Sequence, residues 1–328
     1  MFLENKKYNL KSTLIQATGS RNPSVPSIKF SQQTHFLVDE EVTKEKERLR
    51  NKQNNDLIKV MDLQKVYPNG YQALHDVSFG VEEGQIFGLL GPNGAGKSTT
   101  FNILSAVIPR SSGSVKLLNR EIDQGIYEVF DQVGVCPQIN PLWNELTTVD
   151  HLKVIAQMKG VDTEDIPTLI DYFLNALELK KFAKTKAGGL SGGNKRKLCV
   201  AMCLIGAPKI QFLDEPSTGV DPIARKYLWN CLKESMKGRK GSMILTTHYM
   251  QEAESISNKL GIIINGTMSC VGTLPDLKRR FGEYTIQIKT NQSGNTNELS
   301  SEIEQTLKGI LPEVRNVSST DEGILYKV

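Results

Sequence analysis

No apolar run in this sequence is long enough to cross a bilayer, which takes about 20 residues. The best candidates, Leu198–Ala207 and Gly261–Ile264, stop well short. The N-terminus lacks the apolar core of a secretory signal, so the chain as given reads as soluble. The five cysteines (Cys136, Cys199, Cys203, Cys231, Cys270) show no C-x-x-C spacing. Cys199 and Cys203 stand i, i+4 on a predicted helix, but no histidine is near enough in sequence to complete a metal site. Packed, reduced thiols in a cytosolic compartment are expected. An excess of one charge is missing too. Five Lys/Arg against Glu4 in residues 1–38 account for the net +4, and the remainder is balanced at 35 against 35. A neutral body gives little electrostatic drive toward nucleic acid.

What is present fits a globular protein. The 328 residues allow one large domain or two smaller ones, with 39% hydrophobic and 23% charged residues. Residues 1–55 are rich in Ser, Asn, Gln and charge and read as a flexible leader or linker. Within them Asp39–Lys52 predicts a solvated helix, with Glu41/Glu45 and Lys44/Arg48 at helical spacing. From Asp56 the pattern changes. Leu57–Val60 and Ala73–Val81 predict antiparallel strands around Pro68-Asn69-Gly70. Buried strands follow, ending at Leu90 and covering Ser114–Leu118, Val133–Cys136, Ile210–Leu213 and Met243–Leu245. Helices are expected at Ser98–Val107, Val149–Lys159, Ile166–Leu177, after Ser191, and at Ile223–Met236. A hairpin at Ile262–Asn265 and Thr267–Val271 precedes a helix at Leu274–Phe281. Strands alternating with helices, interrupted by a helical insert at about 148–207, predict an α/β core with a helical lobe. From 283 onward, a strand at Tyr284–Lys289, a helix at Glu298–Ile310 and a strand at Ile324–Val328 resemble the start of a β-α-β domain that is cut off.

The stretch around which this pattern is arranged is GPNGAGKST: Gly91, Pro92, Asn93, Gly94, Ala95, Gly96, Lys97, Ser98 and Thr99. It fits G-x-x-x-x-G-K-[ST], follows an apolar strand and opens a helix. Glycines let several backbone N–H groups face phosphate oxygens. Lys97 would bridge the outer phosphates, Ser98 would ligand Mg²⁺, and the helix N-terminus would face the anion. A nucleotide site is expected here.

Five further features fall in the order that phosphoryl chemistry requires. Ser191, Gly192 and Gly193 open a helix whose cap is Ser191. Asp214 and Glu215 end an apolar strand. Asp214 would hold Mg²⁺, and Glu215 would polarise the attacking water as general base. His248 follows another core strand, placed to contact the γ-phosphate. Gln138 follows the Val133–Cys136 strand, where an amide would sense Mg²⁺ or water. Tyr67 offers a stacking face for adenine, with Tyr71 as the rival. The charge runs Lys195–Lys197 and Lys278–Arg280 read as solvated faces rather than nucleic-acid contacts.

Together GPNGAGKST, Gln138, LSGGN, LDEP, Gly219-Val220-Asp221 and LTTH resemble, in order, the Walker A, Q-loop, signature, Walker B, D-loop and H-loop of the ATP-binding cassette. The resemblance covers Asp56 to Gly282. Asn194 with Lys195-Arg196-Lys197, DEPSTGVDP, THYMQEAE and LKRRFGE resemble subfamily A of these transporters. It implies a phosphate-loop NTPase fold in three parts: a mixed-sheet core, an antiparallel β subdomain and an α-helical subdomain. The resulting division is a leader at 1–55, a cassette at 56–282 and a regulatory domain beginning at 283–328. It also implies that ATP and Mg²⁺ bind between two head-to-tail cassettes. Catalytic Glu215, His248 and Gln138, with Tyr67, the phosphate loop and Asp214, would act from one side. Ser191, Gly192, Gly193 and Asp221 would act in trans. The implied partners are a second cassette and transmembrane domains, on the cytoplasmic face of a membrane, with a lipid or other hydrophobic substrate and no nucleic acid. A soluble remodelling ATPase and a non-catalytic nucleotide-binding regulator are the competing readings.

Overall fold

A computed structural model describes residues 39–51, 55–123, 129–281, 285–288, 315–320 and 323–327. The larger of its two units, 33–274, carries every candidate site residue. Within it, β1 (Ile58–Val66) and β2 (Gln72–Val81) pair antiparallel around Pro68–Gly70. The pairing shifts register near Asp62, which sits at φ 48°. That bulge lets Val60 and Leu63, three apart, both face inward. β4 (Ser112–Leu117) and the short β5 (Arg120–Glu121) extend this antiparallel half.

The other half is parallel. β3 (Ile86–Leu90), β6 (Val133–Cys136), β7 (Ile210–Asp214) and β8 (Ser242–Thr247) are short apolar runs. Parallel strands covered on both faces take that composition. β9 (Lys259–Ile264) lies parallel to β3 and turns at Asn265-Gly266 into β10 (Thr267–Thr273), which meets β2. The ten strands run in the order β5-β4-β1-β2-β10-β9-β3-β8-β7-β6.

Alternation along the strands divides two apolar cores. Phe87, Leu89, Phe212 and Ile244 face one, with the helix that follows Gly96. Ile86, Leu213, Met243 and Leu245 face the other, with the helical lobe. The helices are α1 (Glu40–Arg50), α2 (Lys97–Leu104), α3 (Thr148–Met158), α4 (Ile166–Ala176), α5 (Gly192–Leu204), α6 (Pro222–Met236) and α7 (Met250–Ile256). Helix α2 ends three residues before the expected Val107, because Ala106 turns to φ 57°. α7 is a helix that the sequence pattern does not predict.

The helix expected to be solvated at 39–52 is not. Val42, Glu45 and Leu49 of α1 are buried on β2 and β10. Arg48 bonds both carboxylate oxygens of Glu45, each at 2.9 Å, and Lys259 Nζ reaches the same carboxylate at 2.7 Å. Charge spacing was legible, but the partners across the fold were not. Arg196 and Lys197 depart from expectation in the same way: the run read as a solvated face places both in the interior.

In the second unit, α8 (Leu274–Phe281) has the expected bounds, and β11 (Thr285–Ile288), β13 (Gly323–Lys327) and β12 (Arg315–Thr320) form an antiparallel sheet in that order. The helix expected at Glu298–Ile310 lies outside the described residues. Among the described residues no helix is long and apolar enough to cross a membrane.

Candidate functional site

The phosphate loop joins β3 to α2 and is buttressed from behind. Gly266 N–H donates to Ala95 O at 2.9 Å, and Ala95 N–H donates to Pro92 O at 3.2 Å. Gly96 caps α2 at φ 108°, where a Cβ would stand 2.6 Å from Leu74 Cδ2, so only glycine fits without strain. Pro92, Asn93 and Gly94 are exposed while Ala95, Gly96 and Lys97 are buried. Lys97 Nζ donates to the carbonyls of Gly91 at 2.8 Å and Pro92 at 3.0 Å. Burial lowers the Lys97 ammonium pKa, and the charges of Glu215 and Asp214 partly restore it.

The end of β7 supplies the carboxylates. Burial raises the Asp214 carboxyl pKa. Hydroxyls of Thr246 and Ser98 pull it back, and the Glu215 charge adds to the rise. Thr246 donates its hydroxyl to Asp214 Oδ1. Glu215 adopts φ 50°, left-handed for a residue with a Cβ, and its N–H is held by Thr246 O at 3.0 Å. Its side chain is held on both oxygens. Thr218 Oγ1 donates to Oε2 at 3.0 Å, and His248 Nδ1 lies 3.0 Å from Oε1. Thus Lys97, Ser98, Asp214, Glu215 and His248, up to 151 positions apart in sequence, converge at the C-terminal edge of β3, β8 and β7.

Other expected residues stand differently. Tyr67 Oη lies 3.4 Å from Thr99 Oγ1, which puts Tyr67 rather than Tyr71 against the loop; Tyr71 stacks behind it at 6.4 Å. Gln138 is exposed, and its main-chain carbonyl accepts from Arg196 Nη1 at 3.4 Å. Ser191 caps α5, accepting from Asn194 N–H at 3.3 Å. A Cβ on Gly192 would meet nothing within 4 Å, whereas one on Gly193 would stand 2.9 Å from Gly219 O. The exposed signature turn is thus packed onto the 219–221 turn from behind and open in front. Asp221 caps α6, accepting from Ala224 N–H at 2.9 Å.

Sequence reasoning missed Thr246, Thr218 and Arg196 as site residues. For Arg196 a signal existed: Leu198–Leu204 is apolar all round, so the helix is interior and its first turn is carried inward with it.

A glycine loop between a central strand and a helix, with a carboxylate pair two strands away, defines a phosphate-loop nucleotide-binding protein. Residues 74–218 match the family model described as ABC transporter. "ATP-binding cassette sub-family A member 2" of Rattus norvegicus is 39% identical over 267 residues, covering 80% of this chain and 11% of the relative. The Homo sapiens "Cholesterol transporter ABCA5" is 39% identical over 256 residues, covering 77% of this chain and 15% of the relative. The chain therefore spans a small part of these relatives. A solved "ATP binding subunit of ABC transporter" superposes with TM-score 0.64 at 27% identity, covering 76% of this chain and 99% of that one. A dimeric post-hydrolysis cassette, MJ0796 bound to ADP and Pi, superposes with TM-score 0.61 at 23% identity, covering 66% and 98%, and shares the fold. This chain is a nucleotide-binding domain of the ATP-binding cassette family, most similar to subfamily A.

Proposed function

We propose that this domain binds ATP through Gly91–Thr99 and hydrolyses it, in a pair with a second cassette, to drive transport across a membrane. The observation that carries the reading is the Glu215–His248 pair at 3.0 Å beside the buried Lys97 and Asp214. Lys97 would exchange its loop carbonyls for β- and γ-phosphate oxygens, and the open backbone of the loop would supply further donors. Tyr67 would flank the adenine. Glu215 would take a proton from the water attacking the γ-phosphorus as the bond to the ADP oxygen breaks. His248 would hold the carboxylate and reach the γ-phosphate. The oxygen donors Ser98 and Asp214 suit a hard cation, and Mg²⁺, when bound there, would neutralise charge on the phosphates.

Ser191, Gly192 and Gly193 would close on the nucleotide of the partner cassette, with Asp221 coupling the two sites. The open front of Gly192 supports that role. We propose partner transmembrane domains, a cytoplasmic-face location and a lipid substrate; the subfamily A relatives, one of them described as a cholesterol transporter, support that reading. The cassette, on this reading, begins with α1 rather than at Asp56, extends to about Gly282 and is followed by a regulatory domain. Phosphate release by the purified chain and by Glu215→Gln tests the catalytic assignment. The variant should bind ATP and turn over at least about 100-fold more slowly; turnover at the parent rate contradicts it.

A further inference from the structure

Arg196 lies one turn into α5 from the Ser191 cap and is only 2% exposed. Its guanidinium spreads over two separate segments, 137–140 and 214–216. Nη1 donates to Pro137 O, to Gln138 O at 3.4 Å and to Asn140 Oδ1 at 3.2 Å. Nη2 donates to Asp214 O, and Nε donates to Pro216 O at 3.3 Å. Four of these five acceptors are main-chain carbonyls. Among the described residues no carboxylate lies within ion-pair distance of it.

Burying a guanidinium costs several kcal/mol unless its hydrogen bonds are satisfied, and an apolar side chain of similar volume would fill the space more cheaply. Arg196 therefore calls for a reason beyond packing. Its position gives one. The carbonyls of Asp214 and Pro216 bracket Glu215, the residue held at φ 50°. A non-glycine residue in that region persists only where its surroundings over-determine it. Thr246 fixes the N–H of the 214–215 peptide, and Arg196 fixes its carbonyl and the Pro216 carbonyl beyond Glu215. The same fork holds the loop that carries Gln138 and stands on the helix that opens with Ser191.

We propose that Arg196 is a positioning residue: it holds the Glu215 backbone and ties it to both the Gln138 loop and the Ser191 helix. The inference rests on the ATPase reading above. A planar fork with five donors can span these segments, whereas a lysine ammonium at the same place cannot. Movement of the signature helix when a partner cassette closes is thereby passed to the general base of the same cassette.

Single-turnover ATP hydrolysis by the chain tests this, normalised to the stoichiometry of ATP-analogue binding. The variants are Arg196→Lys in the parent and in the Glu215→Gln background. A positioning role predicts at least a tenfold fall in hydrolysis at unchanged stoichiometry, with ATP half-saturation changed less than about threefold. In Glu215→Gln the second change should have almost no further effect, since residues acting as one unit are non-additive. A role in stability alone lowers the stoichiometry and leaves the normalised rate at the parent value; that result, or a fall by the same factor in both backgrounds, overturns the proposal. If Arg196→Lys fails to fold, Asn140→Ala removes one side-chain anchor. It should give a smaller fall that likewise vanishes in Glu215→Gln, and an unaltered rate overturns the proposal. A parent chain that releases no phosphate at any concentration sinks the ATPase reading and this inference with it. An active parent with an unaffected variant sinks only the inference.

Discussion

His248 Nδ1 stands 3.0 Å from Glu215 Oε1, although 33 positions separate the two residues. The contact exists because β7 and β8 run parallel with Asp214 opposite Thr246, so the residues just past both strand ends share one edge. Open α/β sheets bind ligands at that edge. In the proposed ATPase, His248 orients the base rather than replacing it. His248→Ala should therefore slow hydrolysis about 10- to 100-fold while ATP half-saturation changes less than about threefold. Phosphate-release kinetics read both numbers, and a variant as fast as the parent removes His248 from the mechanism.

Gly96→Ala should cost the fold as well as the site. A residue with a Cβ at φ 108° is strained, and the new methyl would stand 2.6 Å from Leu74 Cδ2. Strain of about 1–2 kcal/mol is expected before the clash is counted. Urea unfolding should show a lower midpoint, and fluorescent ATP-analogue binding should weaken at least tenfold. Parent-like values in both would mean that the loop is less constrained than its geometry implies.

The docking of α1 makes an acid-sensitive prediction. Burial raises the Glu45 carboxyl pKa, but hydrogen bonds and charges from Arg48 and Lys259 outweigh it and hold it below its ordinary value. A carboxylate held lower in the folded state adds stability that is full above the unfolded value, about 4.3, and is lost as pH falls through the folded one. Glu45→Gln should lower unfolding free energy at pH 7 by about 2–4 kcal/mol, because it leaves two cations facing an uncharged partner. The gap between parent and variant should narrow as pH falls below about 4. A gap that stays constant with pH would remove Glu45 from the acid response.

Burial also predicts inert thiols. All five cysteines are buried, and burial raises the thiol pKa of Cys136 to about 11 and of Cys199 and Cys231 to about 12. Since the thiolate is the reactive form, a thiol reagent at pH 8 should label the folded chain only as fast as it unfolds. In urea all five should react at once. Rapid labelling of the folded chain would contradict the packing described for α5 and α6.

Local pattern made much of this fold legible. Short apolar runs marked β3, β6, β7 and β8, and Asn265-Gly266 marked the β9–β10 hairpin. The same patterns exposed the site: Lys97, Asp214, Glu215 and His248 each follow or end a run that could only be a core strand. What escaped was long-range. Arg196 and Glu45 sit in charged runs that look solvated until distant chain supplies their partners, at Pro137–Asn140 and Pro216 for one and at Lys259 and Gly80 for the other. The left-handed turn at Glu215 escaped for the same reason. It is imposed by β8 and α5, and no propensity of Asp-Glu-Pro predicts it.

In the proposed ATPase one chain holds half of the site, with Ser191 of a partner completing it. The most direct test is the specific rate of ATP hydrolysis measured across a wide range of protein concentration. Pairing predicts a rate per molecule that rises with concentration toward a plateau, and a Ser191→Arg variant that stays low throughout. A rate per molecule independent of concentration, unchanged by Ser191→Arg, would contradict it.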